Sequence, residues 1–297
     1  MPSKKSGILF ALVGVTIFSF TLPMVKLSLP SFDPWTLTFG RAAIAGTVAV
    51  ILLKIKKVPV PNKELWPKIS ITALGIVIGF PVLTTFALLY TTSAHSAVII
   101  AGLPMATAVV AVIRMNEREP IGFWLAALVG TVTLIGYAWL NGGSNETNFV
   151  ADAMLFGAVL SAAIGYAEGA ALTKIMPGWQ VVSWCVAVLL PLSVPIFLVT
   201  LIQGWANHQI TYVALGAFLF TALGSMYLGF FAWYRGLSEL GVTKGSQVQM
   251  LQAFLTLVWS AVLLGEVVSI QSLLAASVVI ACVAITQRIK AKSTLIT

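Results

Sequence analysis

The chain has 297 residues, 59% of them apolar, and only 9% are charged, against about 25% in an ordinary soluble domain. Too few charges are present to cover a water-facing surface, which excludes a soluble enzyme, and the chain is too hydrophobic for disorder and too poor in cysteine, with two, for a disulfide scaffold. The net charge of +8 would suggest nucleic acid or a membrane surface in a soluble protein, so its meaning here depends on where the charges fall.

A bilayer core about 30 Å thick needs roughly 20 mostly apolar residues per helix. Ten such stretches follow one another, at 7–29, 34–54, 67–90, 94–114, 120–140, 150–173, 178–202, 210–235, 243–265 and 269–288. The first follows Lys4 and Lys5 but lacks a small-residue cleavage site, so it reads as a retained helix rather than a signal peptide. The breaks carry loop chemistry: Lys54-Ile55-Lys56-Lys57, Asn141-Gly142-Gly143-Ser144-Asn145 and Pro177-Gly178. Their shortness predicts an all-α, polytopic membrane protein with ten neighbouring helices in one bundle.

With alternating sides, 15 of the 17 Lys and Arg residues fall at one end of that bundle. The other two, Lys26 and Arg41, lie inside predicted spans. By the positive-inside rule both termini are expected in the cytoplasm, and the +8 becomes an orientation signal. A nucleic-acid role is not expected, because no basic module with interleaved aromatics is present.

The chain also resembles itself. At an offset of 149, Thr72-Ala73-Leu74-Gly75 matches Thr221-Ala222-Leu223-Gly224, and Leu125-Ala126-Ala127 matches Leu274-Ala275-Ala276. The same register pairs Leu88 with Leu237, Thr107 with Thr256 and Glu117 with Glu266, while Trp35 faces Trp179 at an offset of 144. Each half, 1–143 and 150–297, then holds five spans. An odd number makes the second copy enter from the other side, so the halves are expected as inverted repeats around a central cavity.

The segment Ala87-Leu88-Leu89-Tyr90-Thr91-Thr92-Ser93-Ala94, the following helix with Pro104 and the closing Glu117 resemble the ten-span EamA-type exporters of the drug/metabolite transporter superfamily. Tyr234-Arg235-Gly236-Leu237, Gly241-Val242 and Gly265-Glu266 repeat the pattern. The resemblance covers the whole chain and implies a basket of helices that exports small metabolites, often amino acids, from bacterial cytoplasm.

Polar groups inside spans mark candidate pathway residues, because facing lipid is expensive. Thr16, Ser19, Pro23 and Lys26 share a helical face in the first span, and Pro23 frees a backbone carbonyl for a hinge or a substrate contact. In the second half Ser161, Gly165 and Glu168 form a similar stripe. Glu168 reads equally as a substrate or proton site and as a structural partner for Lys26 or Arg41; Arg41, about 10 Å into its span, is expected in an ion pair holding helices together. Gln249, Gln252, Thr256 and Ser260 line one face of the ninth span, as cavity wall or as helix-to-helix bonds. His95 is either a cap or a proton-linked contact, and His208 is assigned nothing. Trp35, Trp66, Trp124, Trp139, Trp179 and Trp205 lie near span ends, as an interfacial belt would. Phe20, Phe86, Tyr90, Tyr166 and Tyr227 are candidates for an amphiphilic pocket or for plain packing.

No metal-ligand cluster, phosphate loop or nucleophile-base set is legible, so no cofactor and no enzymatic activity are expected. These features together point to a bacterial inner-membrane transporter exporting small metabolites, amino acids first and aromatic or hydrophobic ones among them, by alternating access. The alternatives are a multidrug or nucleotide-type exporter, and an intramembrane enzyme or scaffold. The expected partners are a small-molecule substrate and the lipid bilayer, with proton coupling as an alternative to facilitated export, and with a monomer favoured over a dimer.

Overall fold

The computed structural model describes residues 4–115, 120–141, 149–205, 209–240, 248–249 and 251–293. Glu117, Arg118, His208, Gly241, Val242, Lys244 and the loop 142–145 lie outside them. Among the described residues all regular structure is helical. Five long apolar helices, one bent pair and four further apolar helices make ten spans. They are α1 (Ser6–Ser28), α2 (Pro34–Ile55), α3 (Lys63–Ala87), α4 (Ser93–Ile100, continued by Leu103–Met115) and α5 (Ile121–Asn141). After these come α6 (Phe149–Leu172), α7 (Gly178–Val188 and Leu190–Trp205), α8 (Tyr212–Glu239), α9 (Leu251–Leu264) and α10 (Ile270–Ser293). Large apolar side chains such as Ile51, Leu128 and Ile202 point outward along the bundle, a surface suited to lipid and not to water.

Local chemistry sets the helix ends. Asp33 caps α2 by accepting from the N–H groups of Trp35 and Thr36, and Pro34 occupies the first turn, where its missing N–H costs nothing. Thr92 and Thr211 cap α4 and α8 through the N–H groups of His95 and Ala214. Gly265 ends α9 with φ +66°, a left-handed conformation that glycine adopts without strain. The third span stops at Ala87, earlier than its hydropathy suggests, because Leu88–Tyr90 turn out of the helix. Tyr90 is therefore half exposed at a loop and is not among the residues lining the central cavity.

The packing pairs like with like. Helices α2 and α7, α4 and α9, and α5 and α10 contact each other, so the second, fourth and fifth helices of the two halves each meet their counterpart. First and third helices exchange: α1 packs along α8 and α6 along α3. This is the contact set of two inverted repeats related by a two-fold axis in the membrane plane. Small residues allow the exchanged pairs to touch. A Cβ on Gly14 would lie 2.9 Å from the Trp233 backbone nitrogen, and one on Gly75 would lie 2.6 Å from the Ser161 carbonyl oxygen.

Many spans are interrupted near mid-length. Phe20 breaks α1, Ala101-Gly102 breaks α4, and α7 bends by 56° at Leu189. Two stretches widen into π-helix, Leu74–Gly79 in α3 and Phe220–Leu228 in α8. They overlap when shifted by the repeat offset, so the same irregularity occurs in both halves. Such wide turns occur frequently at functional sites.

Candidate functional site: a central cavity and its closed end

The interruptions surround one internal space. Thr21 and Leu22 follow the α1 break, Ile100 and Leu103 flank the α4 break, and Ile76, Ser225 and Met226 come from the two π-helical stretches; all line a central cavity. Irregular backbone at this depth is tolerated only where protein or a cavity receives its polar groups. Arg41 of α2, Tyr166 of α6 and Gln252 of α9 add polar side chains, while Phe18, Phe80 and Phe230 supply apolar wall. Together with the open space at its mouth the cavity spans about 530 Å³, but its narrowness leaves room for only about two or three water molecules. A second space continues from Gln252 past Gln249 and Thr256 along α4.

The predicted residues divide among several roles. Of the cavity candidates, Tyr166 and Gln252 line the central cavity, as does Arg41, which was expected in an ion pair; the Gln249 side chain faces the Tyr166 hydroxyl. Thr21 of α1 and Ser225 of α8 bridge the halves with a 2.6 Å hydroxyl pair. Thr16 instead lies on the exposed side of α1, and Phe86 packs edge-on against Trp35. Tyr227 is buried between α7 and α8, with its hydroxyl 2.8 Å from Ser183 Oγ. Glu168 is buried towards the basic end of α6 and is absent from the cavity wall.

The Ser19 carbonyl that Pro23 leaves free has a protein partner. Pro23 cannot donate to the carbonyl of Ser19, four residues earlier, and the Thr256 hydroxyl donates to that oxygen at 2.9 Å. Trp259 Nε1 donates to Ser19 Oγ, and its ring stacks on Phe20 at 4.2 Å. Ser19, Phe20, Pro23 and Thr256 thus join α1 to α9, and the freed carbonyl is not available to a substrate.

The three intramembrane charges do not pair as expected. Lys26 Nζ donates to the carbonyls of Leu88 and Thr91, at 2.6 and 2.8 Å, with the Glu266 carboxylate nearby. Glu168 sits towards the other end of the bundle, too far to meet it. Arg41 is 2% exposed, and its Nε and Nη1 have no hydrogen-bond partner. No ion pair holds it to any neighbour among the described residues, which overturns the expected helix-clamping role.

The end of the bundle away from the basic loops is tied shut. Glu266 accepts from the backbone N–H groups of Ser93 and Ala94, at 2.9 and 2.8 Å, and Ser260 donates to Ser93 Oγ. His95 Nε2 lies 2.6 Å from Asp152 Oδ1, both groups buried, and the imidazole stacks on Tyr137. Tyr137 in turn bonds Ser272. The pair joins α4 to α6, and Tyr137 and Ser272 extend the link to α5 and α10. The sequence hinted at Glu266 only through its repeat match. Asp152, in the first turn of α6, carries no local signal of this partner 57 residues away.

Comparison with known proteins agrees with this architecture. Residues 5–139 and 149–287 each match the EamA-like transporter family, one copy per half. The chain belongs to that family, within the drug/metabolite transporter superfamily, and is a multi-pass membrane transporter. It is 38% identical over 288 residues to the uncharacterized transporter YdeK of Bacillus subtilis (strain 168), covering 97% of this chain and 99% of the relative. A solved crystal structure superposes with a TM-score of 0.61 at 17% identity, over 96% of this chain and 99% of its own, and so shares the fold.

Proposed function

We propose that the protein exports small metabolites, amino acids foremost, from the bacterial cytoplasm by alternating access across the inner membrane. The observation that carries this reading is the cavity where the two inverted halves meet. It is sealed at one end by the Lys26, Glu266 and His95–Asp152 contacts, and its wall mixes apolar rings with Arg41, Tyr166 and Gln252. Such a wall suits a solute with one charged or polar group and an apolar side chain. The basic loops at the other end support cytoplasmic termini, which makes the sealed end periplasmic. On that orientation the structure is closed to the outside. The repeat units run over 1–143 and 150–297, and one copy of the chain holds a whole cavity, which supports a monomer as the working unit.

His95 and Asp152 form the one buried titratable pair among the described polar contacts at the sealed end, which favours a proton contribution to opening over a simple cap. Purified protein in vesicles loaded with a labelled amino-acid panel tests the main reading. Efflux of a subset of amino acids is the expected result. Efflux of dyes or nucleotides but of no amino acid would replace it with the multidrug or nucleotide alternative, and no flux of any class would remove the transport reading.

A further inference from the structure

We propose that Arg41 is the anchor for a substrate carboxylate, so that the cavity selects small monocarboxylates with an apolar side chain and does not require their amino group. The inference rests on the central cavity being the transport site. An arginine remains protonated in proteins, so burial cannot neutralise it as it can a lysine. Arg41 is almost fully buried, faces the cavity and leaves Nε and Nη1 without partners. A buried charge left uncompensated is strongly destabilising, so the cation needs an anion that the bound solute can bring. The guanidinium fork matches a carboxylate with two parallel hydrogen bonds.

Among the described residues no anion is paired with this cation. The cavity wall contains no Asp or Glu. Glu266 is engaged by two backbone N–H groups, and Lys26 already holds two carbonyls, so neither competes for the substrate or for Arg41. The counterpart of Arg41 at the Trp35–Trp179 register is Cys185, whose thiol lies against the Ile69 carbonyl, so the charge sits on one side only of a nearly symmetric space. One cation fits a monoanion better than a phosphoryl dianion. With no carboxylate in the wall, nothing there is built to hold an ammonium by charge. The neutral Gln252, whose Oε1 also lacks a partner, is a lining acceptor of suitable chemistry.

Matched probes separate these contributions: phenylalanine, its 2-oxo acid phenylpyruvate, its decarboxylated amine phenethylamine, and phenyl phosphate. Binding to the purified protein and counterflow in vesicles are both measured. Phenylalanine and phenylpyruvate are expected to bind within about threefold of each other, and phenethylamine at least tenfold more weakly, the loss expected for a charge-assisted contact. Arg41→Gln should weaken the two acids at least tenfold and leave the amine unchanged, while Arg41→Lys recovers part of the loss. Thermal melting of ligand-free Arg41→Gln should match or exceed that of the wild type, because the variant relieves an unpaired buried charge, whereas a structural ion pair would make it melt lower. Equal binding of amine and acid, tightest binding of phenyl phosphate, or acid affinity unchanged in Arg41→Gln would each overturn the anchor while leaving transport intact. Absence of binding and flux for every probe would remove both the anchor and the amino-acid reading beneath it.

Discussion

Pro23 and Thr256 show how closely one hydrogen bond can be followed from sequence to fold. The proline removes a donor within α1, and a threonine on α9 supplies another, 237 residues away, to the same Ser19 oxygen. Thr256→Val should therefore cost about 1–2 kcal/mol through an unsatisfied buried carbonyl, read as a lower melting temperature in detergent. In a Pro23→Ala background the helix regains its own N–H donor, and the same substitution should cost markedly less. Equal losses in both backgrounds would show that Thr256 acts elsewhere. The polar stripe of the first span was legible in the sequence, but not its orientation. A helix apolar on all sides has little amphipathic direction, so only its neighbours decide that Ser19 is buried and Thr16 exposed. The lone state of Arg41 was hidden for a similar reason, since a partner, or its lack, exists only in three dimensions.

At the scale of elements, close approach decides what substitution the bundle tolerates. Gly75 rests against the backbone of Ser161 and Gly165, where no flexible side chain can give way. Gly75→Val should abolish monodisperse protein, whereas Gly216→Ala, with open space around its position, should melt like the wild type. Size-exclusion profiles of the two variants check this, and a well-folded Gly75→Val would show that α3 and α6 can separate at little cost. Helix number and order were readable because ten apolar runs alternate with loop chemistry and repeat at a fixed offset. The mid-span interruptions left a weaker trace, a proline just beyond the break at Pro23, Pro104 and Pro191. Widened turns at Leu74–Gly79 and Phe220–Leu228 answer to packing between helices; Pro81 follows the first, while the second carries no proline that announces it.

For the whole molecule, the sealed end makes a strong prediction. Glu266→Ala deletes two charge-assisted bonds to the start of α4, a loss of about 3 kcal/mol, enough to shift an opening equilibrium about a hundredfold. In a background with Cys185 and Cys282 replaced by alanine, a cysteine at Ile100 should then react much faster with an impermeant thiol reagent added from that side. Unchanged labelling would mean that the Lys26 and His95–Asp152 contacts keep this end closed without Glu266. The positive-inside distribution was the clearest whole-chain signal in the sequence, whereas the seal joins residues as distant as Ser93 and Glu266, and no local pattern brings them together.

The exchange of first and third helices limits the kind of movement available. Because α1 is locked along α8 and α6 along α3, the halves are laced together and cannot swing apart as two rigid shells. On the proposed alternating-access reading, movement would instead be taken up within the spans, at Phe20, at Ala101-Gly102, at Leu189 and at the two widened turns, all around mid-depth. A helix jointed in its middle can splay one tip while the other stays clasped. On that reading two mouths would share one set of joints, and the groups beside those joints, Thr21, Ile76, Ser225 and Ile100, are the ones that would feel a solute arrive.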